Sequence, residues 1–173
     1  ELDYGSIVLL YDFLKEEIET TDIYDKDQRT NNGFVIGYNL QYEKHTFQTS
    51  LREDLNSQYD NQTTGSIGYA YQIDPQWRIS SSYGTAFVAP NFNYLYSTVD
   101  QAALGNPNLK PEKNVDYELG FAKTLSLRSA LKISAFYKEL RDMIQVVNVL
   151  GAYPAQYMTY GNIDFGTVKG MSV

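Results

Sequence analysis

Side chains of the kinds that catalyse reactions or hold metal ions are sparse in this chain. It has one histidine, His45, and no cysteine, so we predict no soft-metal site and no thiol chemistry. His45 follows Lys44 in a predicted tight turn, where we expect it to be solvated. Glu16 and Glu17 are neighbours in a predicted strand, so their carboxylates would point to opposite faces and could not act as an acid–base pair. We therefore expect no catalytic site among these residues.

One cluster of oxygen ligands deserves comparison with known metal loops. Asp22, Asp25 and Asp27 lie close together in a predicted loop, and oxygen-rich loops can hold calcium. Their spacing does not follow the ordered calcium-loop pattern, and Lys26 and Arg29 dilute the negative charge. We favour a solvated acidic loop, with no metal, and leave calcium binding as the alternative.

Composition limits the partners of the chain. It has 173 residues, with 14 basic and 21 acidic side chains and a net charge of −7, which argues against binding nucleic acid. The 16 tyrosines suit strands that are half-buried. No apolar run reaches the roughly 18 residues of a transmembrane helix. The first residues lack the pattern of a signal peptide, so we expect a mature chain or one cut from a longer protein.

Period-two alternation predicts an all-β fold. Apolar residues recur at every second position, with polar or small residues between them, in residues 34–42, 47–54, 66–73, 77–87, 114–121 and 131–138. Two further runs near residues 4–18 and 157–173 bring the prediction to about eight strands. The first run has some helical character, but its neighbours favour a strand. We predict an antiparallel up-and-down meander.

The predicted connections alternate between short and long. Short turns are expected at residues 44–45, 74–76 and 126–129, and long loops near residues 20–32, 57–63, 89–111 and 144–156. In a meander, all the short turns then lie at one end and all the long loops at the other, which is typical of outer-membrane barrels. Alternation alone fits equally well a soluble β-sandwich binding module, whose apolar face would form a core. A small closed eight-stranded barrel is a further alternative.

The most distinctive residues surround the long loop 89–111. Tyr83-Gly84-Thr85-Ala86-Phe87-Val88-Ala89-Pro90 precedes it, and Gly105-Asn106-Pro107-Asn108-Leu109-Lys110-Pro111-Glu112 leads into Tyr117-Glu118-Leu119-Gly120-Phe121. These runs resemble the C-terminal half of the barrel of TonB-dependent outer-membrane receptors. We expect a structural role for the signature residues, because prolines order the backbone. They are Tyr83, Gly84, Pro90, Gly105, Asn106, Pro107, Leu109, Pro111, Glu112, Glu118, Gly120, Lys169 and Gly170.

The resemblance implies a fold that is larger than this chain. Receptors of this family have about 22 strands around a plug, so residues 1–173 would be a segment of a transmembrane β-barrel without the plug domain. The family has an apolar residue and Glu after Lys169-Gly170, whereas this chain has Met171-Ser172-Val173. We expect such a segment to associate with other chains through its open sheet edges.

The resemblance also implies a function and a place in the cell. An intact receptor in the outer membrane of a Gram-negative bacterium, surrounded by lipid, binds a scarce ligand and imports it when the TonB inner-membrane complex acts on the plug. Because this mechanism is binding and gated passage, the resemblance implies a protein that is not an enzyme and that uses no cofactor. The hairpin with Asp54, Asn56 and residues 64–66 favours cobalamin, with a ferric siderophore or haem as alternatives. Loops on rigid scaffolds often carry binding groups, so we predict ligand contacts from Phe92, Tyr94, Tyr96 and Gln101.

Overall fold

A computed structural model describes residues 5–19, 27–98, 103–150 and 156–173. Eight strands and one short helix make up the described part of the chain. In chain order they are β1 (Gly5–Glu17), β2 (Gln28–Tyr42), β3 (His45–Asn56), β4 (Gln62–Gln72), β5 (Trp77–Val88), α1 (Phe92–Tyr96), β6 (Glu112–Ser126), β7 (Ser129–Leu150) and β8 (Gln156–Ser172). The prediction of an all-β fold with about eight strands is confirmed, and the ambiguous first run is a strand.

The strands form a single antiparallel sheet in the order of the sequence, β1 to β8. The predicted up-and-down meander is therefore confirmed. The soluble β-sandwich is wrong for the described residues, because it requires two packed sheets. A closed eight-stranded barrel is also wrong for them, because β1 pairs only with β2, and β8 pairs with β7 and not with β1.

The two ends of the sheet differ as the sequence predicted. The connections at residues 43–44, 73–76 and 127–128 form what we call the short-turn end. Strands β1, β3, β5 and β7 all end at the opposite end of the sheet, which we call the long-loop end. Two predicted loops were too long, because β2 begins at Gln28 and β7 continues to Leu150. Residues 28–32 are all polar and nevertheless pair with β1. Residues 144–150 are mostly apolar and pair with β8.

The sheet has one apolar face and one polar face. Successive side chains alternate between the faces, and the strand register aligns apolar positions in rows, such as Ile79 with Phe121 and Ile133. Aromatic rings touch along these rows, with ring centroids 5.1 Å apart for Tyr83–Tyr117 and 6.2 Å for Tyr117–Tyr137. Large side chains on this face are exposed, including Leu9 at 75% and Leu119 at 56%. The sheet therefore has no hydrophobic core of its own on that face.

The buried apolar cluster lies in the loop between β5 and β6. It contains Phe92, Leu95, Tyr96, Ala103, Leu109 and Tyr160, with Ile18, Tyr94 and Ile144 packed against it. All but three of these side chains belong to that loop. No described helix is long and apolar enough to cross a membrane.

Candidate functional site

The candidate site is built on the short helix α1 in the β5–β6 loop. Asn91 caps its N-terminus, and the Asn91 Oδ1 accepts a hydrogen bond from the Tyr94 backbone N at 2.8 Å. Asparagine at this position satisfies a backbone N–H that the first turn leaves unpaired. At the other end, the Gly105 N donates to the Ser97 carbonyl at 2.8 Å. A Cβ at Gly105 would lie 2.6 Å from the Ser97 backbone N, so only glycine allows this close approach.

The signature segment 104–110 runs along β8. The Leu104 N donates to the Met158 carbonyl at 2.9 Å, and the Tyr160 N donates to the Leu104 carbonyl at 3.3 Å. Leu104 thereby forms a parallel bridge with Thr159. Alternate residues of a strand direct their backbone groups to opposite edges, so the loop occupies the edge of β8 that faces away from β7.

Asparagine side chains complete this attachment. The Asn106 Nδ2 donates to the Tyr160 carbonyl at 2.9 Å, while its Oδ1 accepts from the Asn108 N at 3.0 Å. Asn162 binds both backbone groups of Lys110, each at 2.9 Å. Because both backbone and side chains contribute, the loop is fixed to a strand about 50 residues later in the chain.

The remaining signature residues also have structural contacts. Leu109 and Pro111 are buried, and the Glu112 Oε1 accepts from the Ile144 N at 2.6 Å. In the sheet, a Cβ at Gly120 would lie 2.6 Å from the Ser80 Oγ, and one at Gly170 would lie 2.7 Å from the Phe136 ring. Four other signature residues lie in strands or a turn without a close contact of this kind, namely Gly84, Pro107, Glu118 and Lys169.

The structure brings three of the four predicted ligand contacts together. Phe92 and Tyr96 are buried in the loop cluster, at 6% and 8% exposure, and the Tyr96 hydroxyl accepts a hydrogen bond from the Gln58 Nε2 at 3.0 Å. Tyr94 is half-buried, with its ring centroid 4.6 Å from that of Tyr160. Gln101 lies outside the described residues. Of the three described residues, Tyr94 could reach a ligand without opening the cluster.

Sequence reasoning missed Arg29, which connects the loop to the sheet. Its guanidinium is buried and binds both carboxylate oxygens of Glu16 on β1, with the Nη2–Oε1 distance at 2.9 Å. The Arg29 Nη1 donates to the Pro90 carbonyl at 2.6 Å, and the Phe92 ring centroid is 5.0 Å from the Arg29 Cζ. Nothing in the local sequence of Arg29 indicated these contacts, because its loop partners are about 60 residues away.

The β3–β4 loop closes the other side of Arg29. The Tyr59 ring centroid is 6.0 Å from the Arg29 Cζ and 6.2 Å from the Phe87 ring. Burial raises the pKa of the Tyr59 phenol above its ordinary value, with the nearby Arg29 charge acting in the opposite direction.

A second arginine organises the polar face of the sheet below the loops. Arg52 binds Asp12 on β1, with an Nη1–Oδ1 distance of 2.7 Å, and Asp54 on its own strand, with an Nη2–Oδ1 distance of 2.6 Å. Asp54 is 2% exposed and also accepts from Asn31 Nδ2 at 2.6 Å. Arg52 crosses β2 at Gly33, where a Cβ would lie 2.7 Å from the Arg52 Cζ.

Nearer the short-turn end, the polar face carries an open groove. It is lined mainly by small and polar side chains, among them Thr46, Gln48, Arg78, Ser80, Ser82 and Glu118. These side chains can form hydrogen bonds. They do not place a nucleophile next to a base and a pair of oxyanion donors. The groove is suited to contact with another polar surface or a polar solute.

His45, at the short-turn end, lies far from Glu16 and Glu17, which are at the long-loop end of β1. The Nδ1 of His45 is 2.8 Å from the Tyr69 hydroxyl at the short-turn end. Glu16 binds Arg29, and Glu17 binds Lys15 at 2.8 Å. Asp22 and Asp25 lie outside the described residues. Across the described part of the chain, no group of three or more acidic, histidine or cysteine residues could hold a metal ion.

An up-and-down sheet with one apolar face and long loops at one end has the architecture of a segment of a transmembrane β-barrel. The family model described as TonB dependent receptor-like, beta-barrel, matches residues 3–173. The chain belongs to this family.

Curated relatives agree with that assignment. The chain is 29% identical over 150 residues to the vitamin B12 transporter BtuB of Photobacterium profundum, an alignment that covers 87% of this chain and 24% of the relative. BtuB of Vibrio vulnificus has the same identity, with coverage of 87% and 23%. The chain therefore spans about a quarter of the length of these relatives.

Solved structures share the fold at lower sequence identity. The ferric enterobactin receptor PfeA of Pseudomonas aeruginosa, in complex with BCV-L6, superposes with a TM-score of 0.81 at 15% identity, covering 98% of this chain and 30% of the receptor. The siderophore receptor PirA of the same organism has a TM-score of 0.72 at 18% identity, covering 84% and 30%. These similarities establish the fold of the chain.

Proposed function

We propose that this chain is part of the barrel wall of an outer-membrane TonB-dependent transporter that imports cobalamin. The observation that carries the proposal is the match to the family model over residues 3–173. The transporter acts by binding and gated passage, without making or breaking covalent bonds in its ligand. The plug, the TonB inner-membrane complex and the rest of the barrel are the partners this function requires.

The spacing of two lysines on β6 supports membrane insertion. On β6, the side chains of Val115, Tyr117, Leu119 and Phe121 lie on this face between Lys113 and Lys123. Ten residues at about 3.3 Å each extend about 33 Å along a strand. At a tilt of about 40°, this length spans about 25 Å of bilayer, which is the height of the apolar band in outer-membrane barrels.

Sequence similarity supports cobalamin over iron chelates as the ligand. Both curated relatives described above are vitamin B12 transporters, at 29% identity. The siderophore receptors resemble the chain in structure at 15–18% identity, which supports the fold alone. A ferric siderophore remains the second candidate, because the same barrel architecture serves those receptors.

Equilibrium binding to the full-length parent protein tests the proposal. We expect cobalamin to bind more tightly than haem or a ferric siderophore when each is titrated into the purified protein in detergent. Tight binding of a ferric siderophore without cobalamin binding would show that the ligand is a siderophore. The proposal that the protein is a TonB-dependent transporter would stand. A protein that stays monodisperse without detergent would contradict the membrane location itself.

A further inference from the structure

Two cations are directly opposed at the long-loop boundary of the apolar face. Lys113 on β6 pairs in register with Arg141 on β7, and both side chains are exposed, Arg141 at 59%. Directly opposed residues have Cβ atoms about 4.5–5.5 Å apart, and like charges at this distance destabilise the pair. Such a pair is stabilised when an anion binds between the two charges.

The protein supplies only part of the neutralising charge. Glu139 binds Arg141, with an Nη2–Oε2 distance of 3.0 Å, and no ion pair of Lys113 occurs among the described residues. Two positive charges therefore face one carboxylate. This excess is local, because the whole chain carries a net charge of −7.

The surroundings of the pair indicate what kind of anion it would bind. Val115 and Tyr117 continue the apolar face toward the short-turn end, and Phe165 lies opposite Arg141 with 59% exposure. An anion here would have apolar chains against the sheet and its charged group at the boundary. A free solute anion would gain nothing from these apolar neighbours.

We propose that Lys113 and Arg141 form a binding site for the phosphate of a membrane lipid in the leaflet at the long-loop end. Arginine and lysine both donate charge-assisted hydrogen bonds to phosphate oxygens. The site rests on the proposed membrane location of the apolar face. It is distinct from the ligand site in the loops, because it lies outside the barrel wall.

Native mass spectrometry of the detergent-solubilised parent protein tests the site. The probes are dioleoyl phosphatidic acid and dioleoylglycerol, which share their acyl chains and differ in the phosphate. We expect the wild type to retain phosphatidic acid in preference to dioleoylglycerol. The double variant Lys113→Gln with Arg141→Gln should bind phosphatidic acid at least about tenfold more weakly, as expected for loss of charge-assisted hydrogen bonds.

Lys123→Gln is the matched control. Lys123 lies on the same face and strand, at the opposite boundary, with its Nζ 4.4 Å from the Trp77 ring centroid. We expect this variant to bind phosphatidic acid as the wild type does, and Lys113→Arg to do the same. Excess inorganic phosphate should leave the binding unchanged, since it lacks the acyl chains. Variant folding is checked by the heat-dependent shift in gel mobility of the barrel.

Three results would overturn the site. They are wild-type affinity in the double variant, an equal loss in Lys123→Gln, and equal retention of the two lipids by the wild type. Equal retention includes binding of neither lipid, whereas a protein that stays monodisperse without detergent would contradict the proposed membrane location instead. The two failures are therefore distinguishable.

Discussion

In the β5–β6 loop the apolar side chains pack against one another, whereas on the apolar face of the sheet they are exposed. Leu95 is 3% exposed and Leu109 is 4% exposed, while Leu9 is 75% and Leu119 is 56% exposed. Both regions are rich in aromatic residues, but only the loop folds back on itself. The loop is therefore stabilised from within the chain, and the sheet face requires lipid or another apolar surface to cover it.

The two regions also differ in what their buried or half-buried arginines connect. Arg52 joins strands within the sheet through Asp12 and Asp54. Arg29 joins the sheet to the loop through Glu16 and the Pro90 carbonyl. The first arrangement fixes the wall of the barrel, and the second fixes the position of the predicted ligand-binding loop above it.

The largest expected effect is on the face that lipid would cover. Leu119→Arg places a charge near the middle of the apolar face and should destabilise the membrane-inserted parent protein by about 2–4 kcal/mol. Urea unfolding in lipid vesicles measures this. The control is Ser82→Arg on the polar face, opposite Glu118, which should change stability by less than about 1 kcal/mol. Equal effects of the two substitutions would mean that lipid does not cover the apolar face.

Gly105→Ala tests whether the loop is packed from within. The added methyl group meets the backbone of residues 95–97 at 2.6–2.8 Å, so the helix must move, at a cost of about 1–3 kcal/mol. We expect faster amide hydrogen exchange in residues 92–98. Gly68→Ala is the control, since no atom lies within 4 Å of its added Cβ. Unchanged exchange in Gly105→Ala would show that the loop is already loosely packed.

Arg29→Gln separates the loop from the sheet without adding bulk. It removes the paired hydrogen bonds to Glu16 and changes the donor to Pro90, which should cost about 1–2 kcal/mol because Glu16 is partly exposed. Proteolysis within residues 89–98 should become faster while unfolding of the sheet changes little. Arg128→Gln at an exposed short turn is the control and should leave proteolysis unchanged. A loss of sheet stability in Arg29→Gln would show that Arg29 stabilises the sheet itself and not only the attachment of the loop.

The smallest effect expected is on ligand binding. Tyr94→Ala should weaken cobalamin binding to the parent protein about tenfold if its half-buried ring contacts the ligand. Tyr137→Ala, on the apolar face, should leave the affinity unchanged. Tyr94 also packs on Tyr160, so hydrogen exchange of the loop is measured in the same variant. Weaker binding accompanied by a loosened loop would assign Tyr94 to packing.

The sequence by itself determined the fold class, the order of the strands and the face of the alternating side chains in six of the strands. These features depend on alternation between neighbouring residues and on turns of few residues, which are local properties. The alternating lengths of the connections then put the long loops at one end. The signature around residues 83–120 indicated the family for the same reason, because its residues are close together in sequence.

Only the tertiary structure decided how the loop is held and which of its residues are buried. The contact of Arg29 with Pro90 and that of Asn106 with Tyr160 join residues that are 61 and 54 positions apart. Phe92 and Tyr96 are aromatic residues of the kind that often contact ligands when exposed. Here they are buried, because the whole loop folds around them. Periodicity gives the face of a strand residue, but it cannot give the distant partner of a loop residue, since that partner is fixed by packing in three dimensions.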